Sequence, residues 1–149
     1  MDPFLRTSSG DPVPGFRIEN LEGGFFASRD DLKKVKLITF FIIKCPHCRD
    51  SLNFIGQEVW NRFDTGSFEM ICIGRDHSVD DLRTFSMARD YGFPMAADPL
   101  RQVYDMFATQ KVPRTFLVDR TGIIVHHTRG YNEEEYRGTI RMITDLISS

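Results

Sequence analysis

The chain has 149 residues, about one domain's worth, and its 41% hydrophobic and 27% charged shares exclude a disordered or fibrous polymer. Nineteen Lys and Arg against 21 Asp and Glu give a net charge of -2 with no basic cluster, which excludes the electrostatic footprint of a nucleic-acid binder. The longest apolar run, 37–43, is far short of the roughly 20 residues a membrane helix needs, so no transmembrane segment is expected.

Residues 1–11 read as a flexible N-terminal segment and 12–149 as one domain. Phe16 and Ile18 alternate, and Phe25-Phe26 follow the Gly23-Gly24 turn, which predicts a short N-terminal hairpin. Ser28 and Asp31 predict a capped turn before Leu32. Leu37 to Ile43 reads as a buried strand, and Cys48, Leu52, Ile55, Val59 and Phe63 then fall on one helical face. Phe68 to Gly74 predicts a second buried strand, followed by a helix capped by Ser78 and Asp81 with Val79, Leu82 and Phe85 inward. Phe93 to Ala97 predicts a short strand, and Asp98-Pro99 the start of a helix carrying Leu100, Val103 and Phe107 inward. Thr115 to Val118 and Ile123 to His127 flank a hairpin turn at Asp119-Arg120-Thr121-Gly122. Asn132 and the three acids after it cap a last helix with Tyr136, Ile140, Ile143 and Ile147 on its inner face. This order predicts an α/β fold around a mixed central sheet flanked by helices.

The chemistry concentrates at Cys45-Pro46-His47-Cys48, a CxxC pair at a strand-to-helix junction. Unpaired N–H groups and the positive dipole end of a helix stabilise a thiolate on its first cysteine. Pro46 suits the first turn, because its missing N–H has no partner there in any helix. Lys44 and His47 add positive charge near Cys45, a second means of tuning the thiolate. Dithiol exchange needs an accessible attacking thiolate and a second thiol to resolve the mixed disulfide, roles that fall to Cys45 and Cys48. A stabilised thiolate favours the reduced form and makes the disulfide more oxidising.

A structural zinc site wants four ligands, and a second paired set is missing, so no metal is expected. Cys72, inside an apolar strand, reads as a core residue. His126 and His127 are adjacent in a strand and point to opposite faces, and His77 reads as a loop or cap residue. Pro113 taken alone is an ordinary strand-start proline.

A CxxC helix followed by a proline at the mouth of the strand before a terminal hairpin resembles the thioredoxin-like fold. Pro14-Gly15-Phe16, Phe40-Phe41, the Cys-Pro-His-Cys motif, Phe93-Pro94, Val112-Pro113-Arg114-Thr115-Phe116-Leu117-Val118-Asp119, Gly122 and Gly130 together resemble its TlpA and ResA branch of thiol:disulfide oxidoreductases, over nearly the whole chain. The resemblance implies Cys45 as nucleophile, Cys48 as resolving thiol, Pro113 as a cis-proline beside them, and Val112 as a backbone partner for a bound substrate segment. It implies protein thiols or disulfides as substrates, a separate redox donor or acceptor protein, a monomer, and no cofactor beyond the Cys45–Cys48 disulfide.

This chain departs from thioredoxin in carrying Thr39 where a buried Asp stands six residues before the first cysteine, and Lys44 where a Trp usually precedes it. The Pro-His dipeptide matches the oxidase DsbA, so local chemistry points to an oxidising couple while the branch resemblance points to a reductant. A peroxidase of the related peroxiredoxin type would need a Thr three residues and a Pro seven residues before the reactive cysteine; Ile42 and Ile38 stand there. The alternatives are a metal-binding thioredoxin-like carrier and a non-catalytic thioredoxin-like binding module. The polar start of the chain lacks a secretory signal, leaving a cytoplasmic protein or the mature part of an exported one. The branch resemblance implies the extracytoplasmic placement.

Overall fold

The apolar run expected near residues 37–43 forms strand β3, Val35–Phe41, with all seven residues buried, and burial on both faces makes it the middle strand. The computed structural model describes residues 2–29 and 33–149. Strand β4, Phe68–Arg75, pairs with β3 in parallel, and β5, Met95–Asp98, continues the parallel side. On the other side β6, Arg114–Val118, is antiparallel to β3, and β7, Ile124–Arg129, is antiparallel to β6. The sheet order is β5-β4-β3-β6-β7, and a separate hairpin of β1, Arg17–Glu19, and β2, Phe25–Ala27, forms the N-terminal extension. Both the mixed sheet and the hairpin agree with the thioredoxin-like arrangement expected from the sequence.

Alternation along the strands sends successive side chains to opposite faces. One face carries Leu37, Phe41, Met70, Cys72 and Leu117. It packs against Leu52 of α1, Pro46–Phe54; Leu82 and Phe85 of α2, Val79–Arg89; and Tyr136, Ile140 and Ile143 of α4, Glu133–Ser148. The other face carries Ile38, Phe40, Ile71, Ile73, Phe116 and Val118 under Phe26 of the hairpin and Tyr104 and Phe107 of the short helix α3, Tyr104–Phe107. Gly74 lets α2 lie close on β4, because a Cβ there would fall 2.7 Å from the Leu82 side chain. Gly122 closes the β6–β7 turn at φ 84, a conformation that favours glycine.

Three helical expectations change. The regular part of α1 ends at Phe54, and a π-helical turn, Ile55–Val59, follows, with the Trp60 N–H bonded to the Ile55 carbonyl at 2.8 Å. The chain leaves the helix at Trp60, and Asn61 is left-handed at φ 72, so Phe63 packs on Phe68 from a loop rather than from the helix. Asp98 ends β5 instead of starting a helix. Its carboxylate accepts the N–H groups of Val103 at 3.3 Å and Tyr104 at 2.8 Å, and Leu100 is 76% exposed in the intervening loop. Val79 is also more exposed than its inward assignment required.

The Ser78 and Asn132 caps form as expected, their side chains accepting the Asp81 and Glu135 N–H groups. The capped turn expected from Ser28 to Leu32 involves Asp31 and Leu32, which lie outside the described residues; the Ser28 hydroxyl donates to the Pro14 carbonyl and accepts the Phe16 N–H. Residues 2–11, expected as a flexible lead-in, bond to the domain: Arg6 N–H donates to Phe107, Thr109 N–H to Phe4, and Gly10 N–H to Ile124. Among the described residues no helix is long and apolar enough to cross a membrane.

Candidate active site

The polypeptide turns from β3 into α1 at Cys45, whose extended backbone (φ -100, ψ 116) makes it the residue that caps the helix. Its sulfur accepts the Cys48 N–H at 3.2 Å, satisfying one of the donors that every helix start leaves free. Pro46 occupies the first helical position, as expected. The Cys45 thiol also faces the Val112 carbonyl at 4.0 Å. The Val112–Pro113 peptide is cis, and the contacts of Cys45 with Val112 and Cys48 set this loop beside the CxxC helix.

Cys45 is half-buried and Cys48 fully buried. Burial, reinforced by a hydrogen bond with Cys45, pushes the Cys48 thiol far up, so its proton is held while Cys45 remains within reach of solvent. That asymmetry fits an attacking and a resolving thiol. Cys72 is buried in β4, opposite Thr39 and Met95, and its thiol is likewise pushed up by burial. It is a core residue, as its apolar strand context indicated.

Lys44 and His47 stand exposed beside Cys45. A nearby imidazole that sequence reasoning passed over is more closely engaged. His77, in the loop between β4 and α2, accepts the Ile43 N–H on Nε2 at 2.9 Å and so holds the segment leading into the motif. Acceptance at Nε2 requires the neutral ring protonated on Nδ1. Burial lowers the His77 pKa, against the opposing pull of Asp81 and Asp76. Nothing in the local pattern Asp76-His77-Ser78 signals this contact, which spans 34 residues. An open groove of about 450 Å³ runs beside the motif, lined by Ile43, Lys44, His77, Asp81, Thr84, Phe85 and Ala88.

Beneath α1 lies a chain of buried hydroxyls. Thr39 and Thr115 are 3.1 Å apart, Thr115 and Tyr136 3.3 Å, and Tyr136 and Ser51 2.6 Å. Thr39 therefore has a neutral hydroxyl partner at the position where thioredoxin carries an acid. His126 and His127 do point apart, His126 toward α4 and His127 onto Phe116 and Arg114. Among the described residues no three His, Cys, Asp or Glu side chains group so as to hold a metal ion.

Comparison with known proteins agrees with this geometry. The AhpC/TSA family model matches residues 9–127. The thiol-disulfide oxidoreductase ResA of Bacillus cereus is 24% identical over 136 residues, covering 91% of this chain and 78% of the relative. A Bacteroides thetaiotaomicron structure, assigned as a protein disulfide isomerase, superposes with a TM-score of 0.93 at 27% identity over 100% of this chain and 96% of its own. A structure from Chlorobium tepidum assigned as the thiol:disulfide interchange protein DsbE superposes at 0.83 with 21% identity, over 94% and 98% of the two chains. With a CxxC helix, a cis-proline strand and a family match over most of its length, the chain belongs to the AhpC/TSA family and has its thioredoxin-like fold.

Proposed function

We propose that this protein is a thiol:disulfide oxidoreductase that exchanges disulfides with protein substrates through Cys45 and Cys48. The carrying observation is the position of the Cys45 sulfur, at the start of α1, on a helix N–H and 4.0 Å from the Val112 carbonyl. The Cys45 thiolate attacks a substrate disulfide, forming a mixed disulfide and releasing one substrate thiolate. Cys48, once deprotonated, attacks the Cys45 sulfur, forming the Cys45–Cys48 disulfide and releasing the second substrate thiolate. The substrate is reduced by two electrons and the protein oxidised by two; the reverse sequence oxidises a substrate dithiol. The position of Val112 beside the Cys45 sulfur suits an extended substrate segment laid against it, with Lys44, Pro46 and His47 shaping the thiolate's surroundings.

Peroxide reduction of the peroxiredoxin type is disfavoured although the family includes it, because Ile42 and Ile38 replace the Thr and Pro that such chemistry uses. The Pro-His dipeptide favours an oxidising couple. The relation to ResA supports extracytoplasmic placement, with a redox partner protein that recharges the pair; a cytoplasmic setting would be seen directly by cell fractionation.

Equilibration against glutathione redox buffers, with the disulfide quantified by alkylation, tests direction. A potential near about -120 mV marks an oxidant and one near about -270 mV a reductant. Cys45→Ser abolishes exchange with insulin and with small aromatic disulfides alike. Retained exchange in that variant would overturn the assignment.

A further inference from the structure

The loop that presents Val112 to Cys45 is held from behind by two buried side chains, Arg114 and Tyr104. Arg114, the first residue of β6, is 0% exposed, and its guanidinium donates to two carbonyls of the preceding loop. Gln110 accepts from Nε at 3.0 Å and from Nη2 at 2.8 Å, and Lys111 accepts from Nε at 3.1 Å. Tyr104 donates its hydroxyl to the same Lys111 carbonyl. Lys111 sits at φ 81, a left-handed conformation that L residues seldom adopt, so these bonds fix a backbone that would otherwise relax.

A buried guanidinium needs a counter-charge, and Asp2 supplies it from the far end of the sequence. Its carboxylate accepts from Arg114 Nη1 at 2.7 Å and Nη2 at 3.3 Å, with Arg129 at 3.7 Å. The hydrogen bond from Arg114 holds the Asp2 carboxyl down at about 2, so the pair is charged throughout the working range. The segment after Asp2 reaches its place by pairing with the start of the same loop: Leu5 bridges Ala108, Arg6 N–H donates to Phe107 and Thr109 N–H to Phe4. Lys111 lies over the Phe4 ring at 5.9 Å.

We propose that Asp2 is a positioning residue which, through Arg114, sets the loop 110–112 and thereby the protein's grip on extended protein substrates. The inference rests on the exchange reading above and adds a second determinant to it. Arg114 couples the two because the carbonyls it binds belong to the residues directly before Val112, whose own carbonyl faces the Cys45 sulfur. A protein segment must lie along Val112 to bring its disulfide onto Cys45, whereas a small aromatic disulfide needs only the exposed sulfur. Loosening the loop therefore penalises the first substrate and spares the second.

The test compares wild type, Asp2→Ala and Asp2→Glu with insulin and with 5,5'-dithiobis(2-nitrobenzoate). Asp2→Ala is expected to raise KM for insulin about tenfold, the loss of roughly one hydrogen bond's worth of binding, with kcat and the small-disulfide rate unchanged. Asp2→Glu recovers most of the difference. A parallel loss on both substrates, no change on either, or a Glu variant no better than Ala would overturn the proposal. Native-state amide hydrogen exchange supplies an independent reading: Lys111, Val112 and Arg114 exchange faster in Asp2→Ala while α2 is unchanged, and unaltered loop exchange counts against the clamp. Wild-type protein inert on both substrates would sink the exchange reading by itself, and the amide measurement would still decide the clamp.

Discussion

Arg114 and Thr115 are neighbours on β6, yet they enter polar networks of opposite character on the two faces of the sheet. Thr115 joins Thr39, Tyr136 and Ser51 beneath the CxxC helix, and burial pushes the Tyr136 phenol up to about 12, so every member is uncharged at ordinary pH. Arg114 joins Asp2, Arg129 and His127 behind the cis-proline loop, where charge is the binding element. The difference teaches a division of labour. The thiols rest on a platform of neutral hydroxyls, while the loop that faces them rests on an ion pair that stays charged.

Removing charge from the second network should do the most damage. Arg114→Met takes the buried partner from Asp2, which keeps Arg129 at 3.7 Å, and the donor from the Gln110 carbonyl, while Lys111 keeps the Tyr104 hydroxyl; about 3 to 5 kcal/mol of stability is expected to go, read from urea unfolding midpoints. A loss as small as that of a surface substitution would mean that the two networks are equivalent after all.

The hydroxyl network should respond less. Tyr136→Phe deletes the bridge between Ser51 and Thr115 and is expected to lose about 1 to 2 kcal/mol, with the Cys45–Cys48 potential unmoved because no group charged at ordinary pH disappears. A shifted potential would show that the hydroxyl chain reaches the thiols electrically.

The smallest effect separates the faces by pH. Burial, followed by the Arg114 charge, depresses the His127 pKa to about 4, so the folded state binds this proton less readily than the unfolded chain, whose imidazole has its ordinary value. His127 therefore contributes stability that is full above about pH 6.5 and lost as pH falls through about 4. Allowing for solvent screening of a half-buried ring, unfolding midpoints between pH 7 and pH 5 should register about 1 kcal/mol, and His127→Gln should flatten that slope. An identical slope in the variant would place the pH sensitivity elsewhere.

Local chemistry made much of this molecule legible before any coordinates. Cys45 and Cys48 stood out because the pairing rule, the helix start and the strand before it all concern residues close in sequence. The caps at Ser78 and Asn132 were readable for the same reason. The fold came from strand and helix alternation together with the resemblance carried by Val112-Pro113 and its neighbours. What escaped depends on contacts across the chain. His77 looked like a loop residue because its partner, Ile43, is 34 positions away, and Asp2 looked like part of a loose terminus because its partner is 112 positions away. Phe63 and Leu100 misled in the opposite sense: their spacing continued a helical pattern that a π-helical turn and the Asp98 carboxylate interrupt.

The N-terminal extension also touches both margins of the sheet. Pro12 and Val13 pair beside β7, with Val13 N–H on Gly122 and Ile124 N–H on Asp11, while Asn20 and Leu21 pair beside β5, with Leu21 N–H on Met95. Unpaired strand edges are templates for aggregation, and one short ribbon of chain covers part of each. Synthesis runs from the N-terminus, so this ribbon leaves the ribosome well before either strand it must cover. Both edges come under cover only after β7 has emerged, and a chain stalled before that point exposes the open edges a chaperone would have to shield.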